Sequence, residues 1–333
     1  MLYDSVHKIS FICGYLICGC LDSRYWPDGL NFSGSERKGK MKSLGKLKET
    51  ISYYVQLTKP TIMLLVVVTG ATALFMEGSL VRQPVRFMLV LFALYLTGGS
   101  ANAFNQYFER DIDAMMERTK NRRPLPRRKI SARHALIFSI MIGVAGVLIF
   151  GFVFNWLTAL LSLATILFYS LYYTLYLKPN SIHNIVIGGV AGAMAPVGAW
   201  TAATGNFALA PWILFLIIFL WTPPHFWALA AFRTEDYKKS GLPMLPVIKG
   251  IDFTLKQIVM YALVLVMATL SLYWIQAGWF YLAVAVLSGV YFLNKTFKAY
   301  KYKTEKHFRA LFGSSIVYLF AIFFALIIES IFV

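Results

Sequence analysis

The sequence predicts an all-α, polytopic membrane protein with nine transmembrane helices, and three observations carry that prediction. Hydrophobic residues fill 58% of the 333 positions and charged residues only 14%, whereas a soluble domain carries about 25% charge and 45–50% apolar residues. The apolar residues gather in runs, and a helix of roughly 20 apolar residues crosses a bilayer. The basic residues between those runs fall on alternate loops. Of 32 Lys and Arg, residues 1–60 hold nine, and the loops after runs two, four, six and eight, with their flanks, hold 21. The loops after runs one, three, five and seven hold only Arg82 and Arg86. The positive-inside rule then puts the N-terminus and the even loops in the cytoplasm and the C-terminus outside. Topology thus accounts for the net charge of +17, and a nucleic-acid partner is excluded because the basic residues line the ends of apolar runs.

Residues 1–60 precede the first convincing run. Ile9 to Leu21 is apolar but too short to cross unaided, so it reads as an interfacial or signal-like segment. Cys13, Cys18 and Cys20, the only cysteines, lie in it. They give no disulfide framework and read as small apolar residues, with lipidation or a thiolate metal site as the other reading. Residues 31–50 are polar and basic, as a surface linker is. The expected organisation is therefore an extension over 1–50 and one membrane domain over 51–333. Met41 opens the basic run MKSLGKLKE. A translation start there would make the first 40 residues dispensable, and detecting their peptides in the natural protein would exclude it.

The nine spans are expected near residues 61–76, 87–108, 135–154, 157–177, 182–204, 209–232, 257–276, 279–297 and 310–332. Thr58-Lys59-Pro60 supplies a start for the first, because proline is tolerated in the first helical turn. Gly98-Gly99, Gly188-Gly189, Gly192 and Pro196 are expected at close helix contacts or kinks.

Two stretches carry chemistry. Residues 102–126, NAFNQYFERDIDAMMERTKNRRPLP, follow the second run. Asn105, Glu109 and Asp113 are spaced i, i+4, i+8 and would share one helical face, with Asp111 off that line. Glu117, Arg118, Lys120, Arg122 and Arg123 come next. Oxygen ligands followed by cations at the mouth of a membrane helix suit Mg2+ holding a diphosphate. Simple pairing of the acids with neighbouring arginines would balance charge but leave the alignment unexplained. The second stretch, residues 221–237, reads WTPPHFWALAAFRTEDY. Glu235 and Asp236 would hold a second Mg2+ or share one with Asp113; being about 100° apart on a helix, only one is expected to coordinate directly. The charge-derived topology puts both stretches on the cytoplasmic side, facing one cavity. Arg110, Arg118, Lys120, Arg122, Lys178 and Arg233 are the candidate diphosphate contacts.

These stretches are recognisable. NQYFERDIDAMMERTKNRRPLP, YTLYLKPNSIHNIVIGGVAGAMAPVGAW and LWTPPHFWALAAFRTEDYKKSGLPMLPVIKG make the chain resemble the UbiA superfamily of intramembrane prenyltransferases, and within it the branch that farnesylates haem. The resemblance covers about residues 50–330. Where the superfamily carries N-D-x-x-D-x-x-x-D, this chain has Asn105, Gln106, Glu109 and Asp113; Glu109 lengthens one acidic arm, Gln106 removes a charge, and Asp111 is expected to compensate. His225 stands where quinone-pathway members carry Asp.

The resemblance implies nine helices around a central cavity in the bacterial cytoplasmic (inner) membrane, with the active face cytoplasmic. It implies Mg2+, farnesyl diphosphate and protohaem IX (haem b) as bound species, and transfer of the farnesyl group to a haem vinyl group with addition of water. Asn105, Glu109, Asp113, Arg118, Lys120 and His225 would be catalytic; Asn105, Glu109, Asp113, Glu235 and Asp236 would hold the metal. His225 and His183 are haem candidates, each with simple packing as the other reading. Phe104, Phe108, Tyr169, Tyr172 and Tyr173 are candidates for lining an isoprenoid tunnel. The product, haem O, would pass to a haem A synthase or a terminal oxidase assembly, and membrane lipid would be the remaining partner.

Overall fold

The computed structural model describes residues 34–275 and 277–332, and side chains from residue 45 onward. The apolar segment at 9–21, its three cysteines and most of the stretch before Met41 lie outside the described residues. Helix α1 (Gly34–Leu57) runs through residue 50, so the polar stretch from residue 34 and the approach to the first span are one continuous helix.

Among the described residues, nine helices are long and apolar enough to cross a membrane. They are α2 (Pro60–Glu77), α3 (Pro84–Phe108), α6 (Ala132–Phe154), α7 (Trp156–Asn180), α8 (Asn184–Thr204), α9 (Leu209–Phe232), α12 (Gly250–Trp274), α13 (Trp279–Tyr302) and α14 (Glu305–Phe332). Four short helices sit between them: α4 (Arg110–Met115) and α5 (Glu117–Lys120) after α3, and α10 (Thr234–Lys239) and α11 (Leu245–Ile248) after α9. The expected spans are all present. The largest differences are earlier starts at Gly250 and Glu305, because the polar first turns there continue the helix beyond its apolar run.

The helices pack in a ring. Chain neighbours touch from α6 to α14, α3 packs on α6, and α14 returns to α2 and closes the circle. Helix α8 is central, against α2, α7 and α9. Small residues allow this: Cβ atoms at Gly98 and Gly189 would lie 2.7 Å from Met63 and 3.3 Å from Thr222, the close approach that drives association of membrane helices. At Gly188 an added Cβ would sit 2.3 Å from the buried Tyr173 ring. Overpacking of that kind costs about 1–3 kcal/mol. Gly188→Ala is therefore expected to lower the thermal midpoint of the detergent-solubilised protein, and an unchanged midpoint would show that the ring yields freely.

Exposed tryptophans mark one rim of the bundle. Trp156, Trp212, Trp274 and Trp279 lie at the ends of α7, α9, α12 and α13 that face the odd loops, and all are well exposed. Indoles favour the membrane interface. The two acidic stretches lie at the other rim.

Candidate active site at the basic rim

Helix α3 ends at Phe108, earlier than a continuous helix through Asp113 would. Glu109 leaves the helical region (φ −91°, ψ 6°), and α4 restarts at Arg110. The expected alignment survives the break because the hydrogen bonds continue across it: Glu109 N–H donates to Asn105 O at 3.0 Å and Asp113 N–H to Glu109 O at 2.8 Å. Asn105, Glu109 and Asp113 are only 2%, 4% and 2% exposed. Three cations close on them. Lys178 donates to Glu109 Oε1, and Arg123 pairs with Asp113 and lies 3.9 Å from Glu109 Oε2. Lys59 donates to Asn105 Oδ1 at 2.6 Å.

Sequence reasoning missed Arg123 and Lys59 as site residues. Arg123 is delivered by a turn: the Thr119 hydroxyl donates to Asp113 O at 2.7 Å, and Arg123 N–H donates to Thr119 O at 2.9 Å. Nothing in the basic run RTKNRRPLPRRK distinguishes it from its neighbours. Lys59 stands in the left-handed region (φ 53°) as the residue before α2, uncommon for a residue with a Cβ. The only signal was a lysine beside a helix-starting proline.

Two buried acids share this space with three half-buried cations. For Glu109, burial pushes the carboxyl up, but Lys178, Lys59 and Arg123 together outweigh it and hold it below the ordinary range. Burial, followed by Arg123, lowers the Lys59 amine well below its usual value, while Glu109 and Asp113 pull it back up. A group with a depressed folded pKa contributes stability above its unfolded pKa and loses it as the pH falls through the folded one. The stability gap between the protein and its Glu109→Gln variant is therefore expected to hold above about pH 4.5 and to shrink below it. Chemical denaturation of both across that range checks this.

Other expected contacts point elsewhere. Arg110 lies over the Tyr107 ring, donates to Tyr107 O and pairs with Asp111 at 3.7 Å. Asp111 has an 86% exposed side chain, so it does not stand in for the missing acid. Gln106 explains that change differently: its amide donates to Gln56 O at 2.9 Å and Leu57 O at 3.0 Å, satisfying the end of α1 as a carboxylate could not. Lys120 pairs with Glu117 at 2.5 Å, and Arg122 is exposed. Arg118 acts on the buried Tyr237 hydroxyl: burial raises that group, and Arg118 is the first charge to oppose it, with Glu109, Arg123 and Asp236 also in range. Tyr237 thus places the second stretch within electrostatic range of the first.

Within the second stretch the two adjacent acids face different surroundings. Glu235 is exposed and bound by Lys238 at 2.9 Å, whereas Asp236 is 8% exposed. Arg233 approaches Asp236 at 3.9 Å, yet Asp236 Oδ2 is buried without a hydrogen bond. His183 is exposed at the start of α8. His225 is stacked between Trp221 (4.2 Å) and Phe312 (4.4 Å), with Nδ1 2.7 Å from Ser315 Oγ.

An apolar cavity of about 200 Å³ begins one turn from Asn105 and runs into the bundle between α2, α3, α7, α8 and α9. Among the tunnel candidates only Tyr169 and Tyr173 line it. Both lie in a π-helical stretch, Phe168–Leu177, where the Thr174 hydroxyl donates to Tyr169 O at 2.7 Å and accepts from Asn105 Nδ2 at 3.2 Å. Tyr172 is exposed on the opposite side, and Phe104 and Phe108 stack on each other off the wall. His225 is not on the wall either. The result is a long apolar slot with a buried polar head rich in cations.

The profile of the UbiA prenyltransferase family matches residues 64–327. The chain is 43% identical to a protohaem IX farnesyltransferase of Gloeobacter violaceus over 293 residues, 87% of this chain and 96% of that one. It is 42% identical to the enzyme of that name from Symbiobacterium thermophilum, over 84% of this chain and 95% of that one. Two solved structures share the fold. A digeranylgeranylglyceryl phosphate synthase superposes with TM-score 0.71 at 20% identity, covering 86% of this chain and all of that one. A UbiA homologue from Archaeoglobus fulgidus bound to DMAPP and Mg2+ gives 0.56 at 18% identity, covering 81% and 98%.

Proposed function

The chain belongs to the UbiA prenyltransferase family, and from that premise we propose that it transfers the farnesyl group of farnesyl diphosphate to a vinyl group of haem b, giving haem O. The observation that carries the reading is the polar head of Glu109, Asp113, Lys178, Arg123 and Lys59 set against an apolar slot, within a chain so similar to enzymes of that name.

The diphosphate sits at the polar head. Lys59 is bound to a neutral amide rather than a carboxylate, and an arriving diphosphate would favour its charged form against the burial and the Arg123 charge that lower it; Lys178, Arg123 and Arg118 complete the set, with Arg233 beside Asp236. The protein groups near them are hard oxygen donors, Asn105 Oδ1, Glu109, Asp113 and the unsatisfied Asp236 Oδ2, and these fit Mg2+. Among the described residues no three acidic, His or Cys side chains come together to hold a metal ion, so Mg2+ there would take substrate phosphates and water as its remaining ligands. Bound there, Mg2+ supplies charge neutralisation of the leaving group.

The cations take up charge as the C1–O bond breaks and its electron pair leaves with the diphosphate. The slot holds the tail and excludes water from the allylic cation. The vinyl π bond attacks C1, the resulting carbocation on the porphyrin side takes up water, and one proton is lost, leaving a hydroxyethylfarnesyl group. His225 is the haem contact in this reading: Ser315 occupies Nδ1, so Nε2 is left for the porphyrin side. His225→Ala is expected to weaken haem binding, measured spectroscopically apart from turnover.

The membrane domain over 51–333 lies in the cytoplasmic membrane with the polar head facing the cytoplasm and the C-terminus outside; a haem A synthase or terminal oxidase receives the product. Purified protein given haem b, farnesyl diphosphate and Mg2+ should yield haem O by mass detection, together with diphosphate. Absence of a farnesylated haem from active, folded protein would overturn the assignment.

A further inference from the structure

Of the four glycines inside the central helix α8, only Gly192 would carry an added Cβ that meets no atom within 4 Å. Gly188 is held by the Tyr173 ring and Gly189 by Thr222. Gly192 is different. An added Cβ there would meet no atom within 4 Å, its φ is not positive, and it is exposed on the wall of the apolar cavity. Neither packing nor backbone geometry requires glycine at this position, and alanine would favour the helix. What glycine provides is room in the slot.

We propose that Gly192 sets the length of prenyl tail the slot accepts, by leaving space for a third isoprene unit. The inference rests on the prenyl-diphosphate reading above. Depth supports it. Gly192 lies eight residues past the start of α8 at Asn184, roughly 12 Å at 1.5 Å per residue. That start lies beside the polar head: Asn184 Nδ2 donates to the Lys178 carbonyl at 3.4 Å. An extended isoprene unit is about as long as one helical turn, ~5.4 Å, so two units pass the Gly188–Tyr173 level and the third reaches Gly192. Beyond it the wall continues to Gly198, where an added Cβ would meet Leu94 at 3.6 Å.

The test compares the protein with Gly192→Ala and Gly192→Leu, using geranyl, farnesyl and geranylgeranyl diphosphate. Two readouts are taken: kcat/KM for prenyl transfer to haem b, and the shift in thermal midpoint produced by each diphosphate with Mg2+ and no haem. Gly192→Leu, which adds four carbons, is expected to lower the farnesyl-to-geranyl preference by at least the roughly 10–200-fold that one methylene is worth in an apolar pocket. Gly192→Ala should move it the same way by less, with the ligand-free midpoint held or raised. An unchanged preference, or an equal loss for all three diphosphates, would overturn the inference. If the leucine variant does not fold, the alanine variant decides by the same criteria. If no prenyl group reaches haem even in the unaltered protein, the haem assignment fails alone. The midpoint shifts then decide: a length dependence altered at Gly192 upholds the inference and an unaltered one overturns it.

Discussion

Asp113→Asn is expected to lower formation of the farnesylated haem by about 10²–10³-fold, the scale seen when one preorganised electrostatic partner of a transition state is removed. Asp113 is 2% exposed and its carboxylate is held by Arg123. Asparagine keeps the shape and one oxygen acceptor for that guanidinium, so the fold should persist. It removes the negative charge that both offsets Arg123 and attracts a divalent cation beside the diphosphate. The loss should therefore appear mainly in turnover, with a raised Mg2+ requirement and a thermal midpoint lowered less than by loss of Arg123, because Arg123 still lies 3.9 Å from Glu109. Membranes carrying the variant, supplied with haem b, farnesyl diphosphate and Mg2+, give the answer by mass detection of the product. Unchanged product formation would remove Asp113 from the reacting site.

Arg123→Ala should produce the largest loss of stability. One guanidinium spans Asp113 and Glu109, both at most 4% exposed. Its removal leaves Asp113 buried with no other cation in an ion pair among the described residues. Breaking a buried pair from one side costs about 3–5 kcal/mol, because the remaining charge is uncompensated. Arg123→Lys retains the charge but not the planar fork, so it should be intermediate in stability and still impaired in turnover. Arg127→Ala, four residues away and exposed, is the matched control and should stay within about 0.5 kcal/mol. Thermal unfolding of the three variants in detergent orders them. Equal midpoints for the Arg123 and Arg127 variants would show that Arg123 does not hold the acids together.

The candidate site was partly legible. Asn105, Glu109 and Asp113 could be aligned because helical spacing is local, and the hydrogen bonds continue through the break at Glu109. That Glu235 and Asp236 would face different ways followed from the angle between successive helical residues; which of them turns inward did not. Lys178 could be named because it is the only basic residue in its short loop. Arg110 and Lys120 could not be sorted from Arg123 in the same way. A loop with no periodicity aims its side chains through turns such as the one Thr119 anchors, and that hydrogen bond leaves no mark in the spacing. The same holds for Gln106, whose partners are carbonyl groups at the end of α1.

Composition and spacing alone set out the nine apolar helices, long enough to cross a membrane, found among the described residues, the gathering of basic residues at alternate loops, and the two acidic stretches beside them. Hydropathy and loop charge belong to each segment alone, so they can be read without knowing its neighbours. Only the tertiary structure decided which cations close on the acids, which two tyrosines face the slot, and which glycine borders open space. Those outcomes depend on distances between side chains far apart in the chain, and the packing of the ring sets those distances.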